Sequence, residues 1–152
     1  MGFFTLESAQ AQVSQGGNFG PWIWELKLGI EQVAAEGVRA RLPYSNHVAR
    51  PGGVVIGQAM MAMADTIMVL AICETLGRFA TLATISQTTN FMRAAVRRDV
   101  IGIARVTKTG RSVAFGEVEL FAEGSDEPIA QVISSFAVLP DGAGAFNRAD
   151  QR

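Results

Sequence analysis

The sequence predicts a single α+β domain in which one long apolar helix is wrapped by a curved antiparallel sheet. Three observations carry this reading. The stretch Val54–Leu76 (VVIGQAMMAMADTIMVLAICETL) is nearly all apolar, lacks proline and is rich in the helix formers Met, Ala and Leu. From Ala80 onward the texture changes to period two, with β-branched residues alternating through ATLATISQTTNF and the segments after it. The breaks between those segments, Thr109-Gly110 and Gly124-Ser125-Asp126, are short, polar and contain glycine. A helix apolar on nearly every face must be covered on nearly every face. About five or six strands would do most of this, and a partner subunit the rest.

The elements follow in order. Residues 1–20 form an N-terminal helical extension. Within it Thr5–Gln15 reads as an amphipathic helix, capped by Thr5 or Ser8 and stopped by Gly16-Gly17-Asn18. Pro21-Trp22-Ile23-Trp24 is expected to anchor a core or a subunit contact. Leu26–Ala34 and Val38–Leu42 read as strands joined by the turn Ala35-Glu36-Gly37. Pro43–Gly53 (PYSNHVARPGG) is a loop into the long helix, which ends at Gly77. Four strands then follow: Ala80–Phe91, Val100–Lys108, Arg111–Ala122 and Pro128–Leu139. Their short links suggest a simple meander. The tail, residues 141–152, is small, polar and expected to fray.

Composition narrows the function. The 152 residues suit one domain spanning 1–152. Hydrophobic residues make up 49% and charged residues 18%, apolar enough to hint at oligomerisation. A net charge of −1 gives no reason to expect nucleic acid or an anionic membrane as partner. The single cysteine, Cys73, excludes an internal disulfide and reads as a small buried hydrophobe, so a cytoplasmic location is expected by default. The N-terminal MGFFTLESAQ shows no basic region before its apolar residues, so no secretory signal is expected. Leu6 stands where a myristoylation motif needs Ser or Thr. A membrane span at Val54–Cys73 is opposed by Gly57, Gln58 and above all Asp65, since a central Asp costs roughly 2.5–3.5 kcal/mol on insertion scales.

Asp65 is the residue to explain. It sits in the middle of the most hydrophobic segment, where a lone charge costs several kcal/mol unless solvated or paired. Two readings stay open on the residues alone: a functional carboxylate, or a structural acid held by hydrogen bonds. The lone histidine, His47, lies in a loop, and one His with one Cys makes neither a zinc set nor a recognisable catalytic pair. No metal and no prosthetic group is expected. Nucleophile elbows, phosphate-binding glycine loops and dinucleotide fingerprints are absent from the sequence.

Four pieces of sequence, in order, carry a family resemblance over roughly Leu28 to Pro140. They are Arg50-Pro51-Gly52-Gly53 leading through Gly57 to Met60-Met61-Ala62-Met63-Ala64-Asp65; Thr89-Asn90-Phe91-Met92-Arg93-Ala94; Gly110-Arg111-Ser112; and Ile129-Ala130 before the last strand. Together they resemble hotdog-fold acyl-CoA thioesterases of the phenylacetic-acid-degradation (PaaI-like) type. Many members carry His-Gly-Gly before the helix, with the catalytic acid eight residues after the first of those glycines. Counting back eight from Asp65 gives Gly57, so that place reads Ile56-Gly57-Gln58 here and the histidine is missing. The resemblance makes Asn46 the candidate for a loop asparagine that assists some members.

The resemblance implies thioester hydrolysis by a homodimer that pairs again into a tetramer, with coenzyme A present only as part of the substrate. Asp65 would act as base or nucleophile and the Gly57 amide would polarise the carbonyl. Gly57 and Asp65 lie about 12 Å apart along one helix, so one protomer's pair cannot both touch one carbonyl; the resemblance implies a site shared across the dimer, with the helix-end amide from one subunit and the carboxylate from the other. Gln58, Thr66, Ser86 and Asn90 are candidates to orient water or substrate. Arg93 and Arg111, with Arg97, Arg98, Arg105 and Lys108 near them in sequence, are candidates for the phosphates of coenzyme A, or else plain solvated turn residues. The methionines Met60, Met61, Met63 and Met68 read mainly as core, with one or two available to an acyl pocket. Two rival functions remain: a non-catalytic acyl-CoA binding module on the same fold, and a hotdog hydratase or dehydratase. The second would want a histidine at the helix.

Overall fold

The computed structural model describes residues 2–142, so the expected tail lies outside the described residues except for Asp141 and Gly142. The chain opens with α1 (Leu6–Val13). Thr5 caps it in a reciprocal box: Thr5 Oγ1 accepts from the Ser8 amide at 3.0 Å, and Ser8 Oγ from the Thr5 amide at 2.9 Å. A second, short helix α2 (Pro21–Glu25) starts on proline, whose missing N–H costs nothing at that position. Trp22 remains 53% exposed, so it anchors no core within this chain, and Trp24 is half-buried. Leu26 and Lys27 end α2 instead of opening a strand, and β1 runs only over Gly29–Ala34. It pairs with β2 (Gly37–Leu42).

The loop Pro43–Gly53 holds more order than expected. Asn46–Val48 forms one turn of 3-10 helix, and β3 (Ala49–Arg50) pairs with β4 (Val54–Val55) around Pro51-Gly52-Gly53. Val54 and Val55 are therefore strand, and the long helix α3 starts at Gly57 and ends at Leu76. Gly77 stops it in the left-handed conformation, φ 68°. Four strands follow: β5 (Leu82–Phe91), β6 (Val100–Thr109), β7 (Val113–Ala122) and β8 (Pro128–Val138).

The six main strands form one antiparallel sheet in the order β1-β2-β6-β7-β8-β5, and α3 packs on its inner face. This is the hotdog arrangement. The simple meander expected after the helix holds only for β6-β7-β8. β5 crosses to the far edge and pairs with β8, from Leu82 opposite Val138 to Phe91 opposite Ala130. The link lengths give the reason. β6–β7 and β7–β8 are joined by tight turns, whereas β5 and β6 are separated by the eight residues Met92–Asp99, enough to cross the end of the sheet.

The core is the inner face of this sheet against α3. Met63, Ile67, Met68, Leu70 and Ile72 are fully buried, each contributing about 1.5–3 kcal/mol of hydrophobic stabilisation. Glycines in the strands make the room. A Cβ on Gly102 would lie 2.9 Å from both Ile67 Cδ1 and Met63 Cε, and one on Gly116 would overlap the Met68 sulfur. By length and hydropathy α3 would be able to cross a membrane, but 67% of its most apolar stretch is buried inside this domain.

The two edges of the sheet differ. At β1, Gln10 of α1 acts as a substitute strand: its Nε2 donates to the Leu28 carbonyl at 2.9 Å and its Oε1 accepts from the Ile30 amide at 2.7 Å. At β5, among the described residues, no strand pairs with the outer edge. That edge is ten residues long and carries no charge and no proline, the features that normally blunt an exposed edge.

Candidate active site

One stripe of α3 is not covered by the sheet. Gln58, Met61 and Asp65 are at least partly exposed along it, at the three- and four-residue spacing that keeps side chains on one helix face. β5 runs antiparallel beside this stripe and touches it once per helical turn. Phe91 packs on Gly57, Gln87 Nε2 donates to the Met61 carbonyl at 3.1 Å, and Thr84 Oγ1 donates to Asp65 Oδ1 at 2.8 Å. The Asp65 carboxylate is therefore hydrogen-bonded and half-exposed, and it escapes the full cost of a buried charge.

β5 supplies these three contacts because it carries a bulge. Its register against β8 shifts between Thr84 and Ser86. Up to Thr84 the even-numbered residues face α3. Beyond the extra residue, Ile85, the odd-numbered ones do: Gln87, Thr89 and Phe91. Ser86 and Asn90 are turned to the opposite face of the sheet, where they do not reach Asp65 of the same protomer. Thr84 is the β5 residue whose side chain meets Asp65. In sequence it shares the alternation of Ser86 and Asn90, so nothing local to TLATISQTTN singles it out.

The remaining candidates separate in space. Thr66 is buried, and its hydroxyl donates to the Ala62 carbonyl of its own helix at 2.8 Å. Asn46 is exposed in the 3-10 turn, and the neighbouring His47 lies 3.7 Å from Glu25. Arg93 follows the end of β5. It donates to the Pro128 carbonyl at 2.7 Å and lies 3.4 Å from the Glu127 carboxylate. Arg111 sits at the opposite end of β8, in the turn whose Ser112 carbonyl accepts from Val138. The eleven residues of β8 between these ends span about 33 Å, so one protomer does not bring Arg93 and Arg111 together.

The start of α3 forms a pocket of about 550 Å³, lined by Gly57, Gln58, Ile56 and Phe91 with Arg50 and Arg93 on its wall. No side chain caps the first turn, and no acidic residue stands in it. Its free amides and the positive end of the helix dipole thus face the pocket without competition from the protein. The Phe91 ring closes over Gly57: a Cβ there would lie 3.0 Å from Phe91 Cζ. Arg50 is an addition that the sequence reading missed, because the short β3–β4 ribbon brings it there. Among the described residues, no group of three His, Cys, Asp or Glu side chains is placed to hold a metal ion.

Comparison with known proteins identifies the frame around this geometry. The model of the thioesterase superfamily matches residues 52–129, from the β3–β4 turn through α3 and on to the start of β8. The chain belongs to this superfamily. A solved structure of a candidate thioesterase from Silicibacter sp. TM1040 is 31% identical, with a TM-score of 0.79 over 90% of this chain and 93% of that one. A thioesterase from Haemophilus influenzae (21% identity, TM-score 0.78, 90% and 91% covered) shares the fold. So does zebrafish thioesterase superfamily member 2 (23%, 0.77, 90% and 99%). No curated protein sequence matches the chain. Membership of the thioesterase superfamily points to hydrolysis of a thioester, and the matched span contains Gly57, Asp65 and Thr84.

Proposed function

We propose that the protein is an acyl-CoA thioesterase of the phenylacetic-acid-degradation type, working as a homodimer with a site shared between protomers. The observation that carries this is the pairing of two half-sites on one helix. The open amides at Gly57 and the hydrogen-bonded carboxylate of Asp65 lie two turns apart, too far to serve one carbonyl within one chain. The edges of the sheet supply the remedy. β1 is covered by Gln10, while β5 is long, uncharged and unpaired, so a second copy is the natural occupant of that edge. Two β5 strands paired antiparallel would set the Phe91 end of one against the Thr84 end of the other. The Gly57 pocket of one protomer would then approach the partner's Asp65.

The chemistry follows from these groups. The thioester carbonyl oxygen accepts from the Gly57 amide, and the helix dipole stabilises the negative charge that grows there. Asp65 either withdraws a proton from the attacking water or attacks the carbonyl carbon itself. Thr84 holds one carboxylate oxygen and leaves the other free. The carbon–sulfur bond breaks and the thiolate leaves, to be protonated as coenzyme A; in the first route the water oxygen stays on the free acid, and in the second water hydrolyses the acyl–Asp65 anhydride to release the acid and restore the carboxylate. Arg50 and Arg93 at the pocket are suited to phosphate groups of the leaving thiol. Ile56, in the place of the histidine found in many relatives, leaves this work to backbone amides.

The test is thiol release from a panel of acyl-CoAs by the wild type and by Asp65→Asn, which keeps the shape and removes the charge. Turnover should fall about a hundredfold or more in the variant, as loss of a general base or nucleophile requires. Acyl-CoA binding without turnover in the wild type would make the protein a binding module instead. Full activity in the variant would leave Asp65 a structural acid.

A further inference from the structure

The link Met92–Asp99, which carries the chain from β5 to β6, is laced onto the β3–β4 ribbon at the rim of the Gly57 pocket. The Val55 amide donates to the Ala95 carbonyl at 2.9 Å, Val54 and Val96 form a bridge, and the Arg97 amide donates to the Gly53 carbonyl at 2.8 Å. Arg97 is held there in left-handed backbone, φ 48°. An arginine in that region costs backbone free energy that a glycine would not, and a residue kept in such a conformation points to a use for its side chain. The side chain lies against the buried turn: a Cβ on Gly53 would come within 2.8 Å of Arg97 Cγ and 3.2 Å of Arg97 Cζ.

This rim carries a surplus of positive charge. Arg50, on the same turn as Gly53, is exposed, and among the described residues neither Arg50 nor Arg97 makes an ion pair. Arg93, the other arginine of the pocket wall, is held by the Pro128 carbonyl and lies beside Glu127. The sequence from Val38 to Ala64 contains no acidic residue. Asp99 and Glu123, beyond the link, are both taken up by Arg41. Two guanidinium groups thus flank the turn without a protein counter-charge, and that of Arg97 is already ordered by packing. A guanidinium matches the oxygens of a phosphate with two parallel N–H donors.

We infer that Arg97, with Arg50, holds the phosphates at the nucleotide end of a coenzyme A thioester, and so selects coenzyme A over a carrier that ends at the pantetheine arm. This role rests on the acyl-CoA reading of the Gly57 pocket and adds to it the residue that discriminates the carrier. The reach fits. Gly53 stands four residues of extended chain before Gly57, a separation of at most about 13 Å. With the thioester carbonyl at the Gly57 amide, the phosphates stand off by the length of the pantetheine arm, which takes them out of the pocket to its rim.

Calorimetric titration of the full chain with coenzyme A and with pantetheine tests this apart from catalysis. Coenzyme A should bind the wild type about tenfold more tightly than pantetheine, or better. Arg97→Asn removes the charge and puts in a residue that tolerates left-handed backbone. It should weaken coenzyme A by about tenfold or more, with the affinity for pantetheine, which has no phosphate, as in the wild type. Arg97→Lys, a point charge without the fork, should fall between. Arg97→Gly should match Arg97→Asn in affinity and keep or raise Tm, since glycine relieves the backbone. In thiol release from an acyl-CoA, the loss should appear mainly in KM. Unchanged coenzyme A affinity in Arg97→Asn overturns the inference, as does an equal loss for both ligands, which would make Arg97 a prop of the turn. Hydrolysis of an acyl-pantetheine with the same kcat/KM as the acyl-CoA overturns it and leaves the thioesterase reading intact. Coenzyme A binding that depends on Arg97, without turnover of any acyl-CoA, keeps the role of Arg97 and strikes the thioesterase reading instead.

Discussion

Thr84 Oγ1 donates to Asp65 Oδ1 at 2.8 Å, and this contact ties the middle of α3 to the start of β5. It fixes which carboxylate oxygen is engaged and which is free. A hydrogen bond to a charged group is worth about 1.5–3 kcal/mol. If Asp65 performs the chemistry, Thr84→Val should lower kcat by roughly 10- to 100-fold, on the scale of a factor of ten per 1.36 kcal/mol. Thr84→Ser, which restores the donor, should recover most of it. Ser86→Ala and Asn90→Ala, on the other face of the strand, should change thiol release far less than Thr84→Val. Activity in Thr84→Val equal to wild type would remove this residue from the site.

Gly57 tests the other half-site. Its backbone is not left-handed, and alanine favours helix over glycine by about 0.5–1 kcal/mol. Gly57→Ala should therefore keep or slightly raise Tm in a thermal melt. The added methyl meets Phe91, whose half-exposed ring can turn aside, but it also occupies the approach to the amide. The expected result is a stable protein with kcat/KM reduced tenfold or more, a loss that persists in the double variant with Phe91→Ala. Recovery in the double variant would assign the loss to the displaced ring.

The open β5 edge predicts the assembly. Ile85 sits at the bulge, 59% exposed. A lysine on such an edge opposes strand addition through charge. Ile85→Lys should convert a dimer to a monomer in light scattering at micromolar concentration, with circular dichroism unchanged, and should abolish thiol release in step. A dimer that survives the substitution would place the interface elsewhere.

Acid stability should depend on Asp99. Its carboxylate accepts from the Tyr44 amide at 2.7 Å and from Arg41 at 2.9 Å. The Tyr44 N–H first, and Arg41 with it, hold the Asp99 carboxyl below the usual carboxylate range against the opposing effect of burial. A folded-state value below the unfolded one, about 3.9, gives stability that is fully present above that pH and is lost as pH falls below it through the folded value. Glu31, lowered by Arg41 and Arg39 against burial, loses its contribution in the same direction. The urea midpoint should thus fall between about pH 5 and pH 2 more steeply in the wild type than in Asp99→Asn. Equal slopes would show that the cluster around Arg41 has no part in acid unfolding.

Much of this architecture was legible in the residues. The apolar run ending at Leu76 declares a buried helix by composition, although its first residues, Val54 and Val55, fold as strand; Gly77 marks its end, and the alternating segments after Ala80 become β5 to β8 within a few residues of their expected limits. Asp65 stood out because a carboxylate in such a segment demands a reason. These features are local: apolar periodicity, helix preference and turn chemistry act over a handful of neighbours, and the sequence displays them directly.

What only the tertiary structure decided is long-range. The placement of β5 beside β8 depends on where an eight-residue link crosses, and no local signal encodes it. The bulge at Ile85 changes which side chains of β5 face the helix, so that Thr84 and not Ser86 or Asn90 meets Asp65. The separation of Arg93 from Arg111 and the arrival of Arg50 at the helix start likewise follow from pairing across the sheet. A strand's side chains alternate with a period of two, so one inserted residue reverses every position beyond it. Composition is blind to such a step, and only the register against the neighbouring strand reveals it.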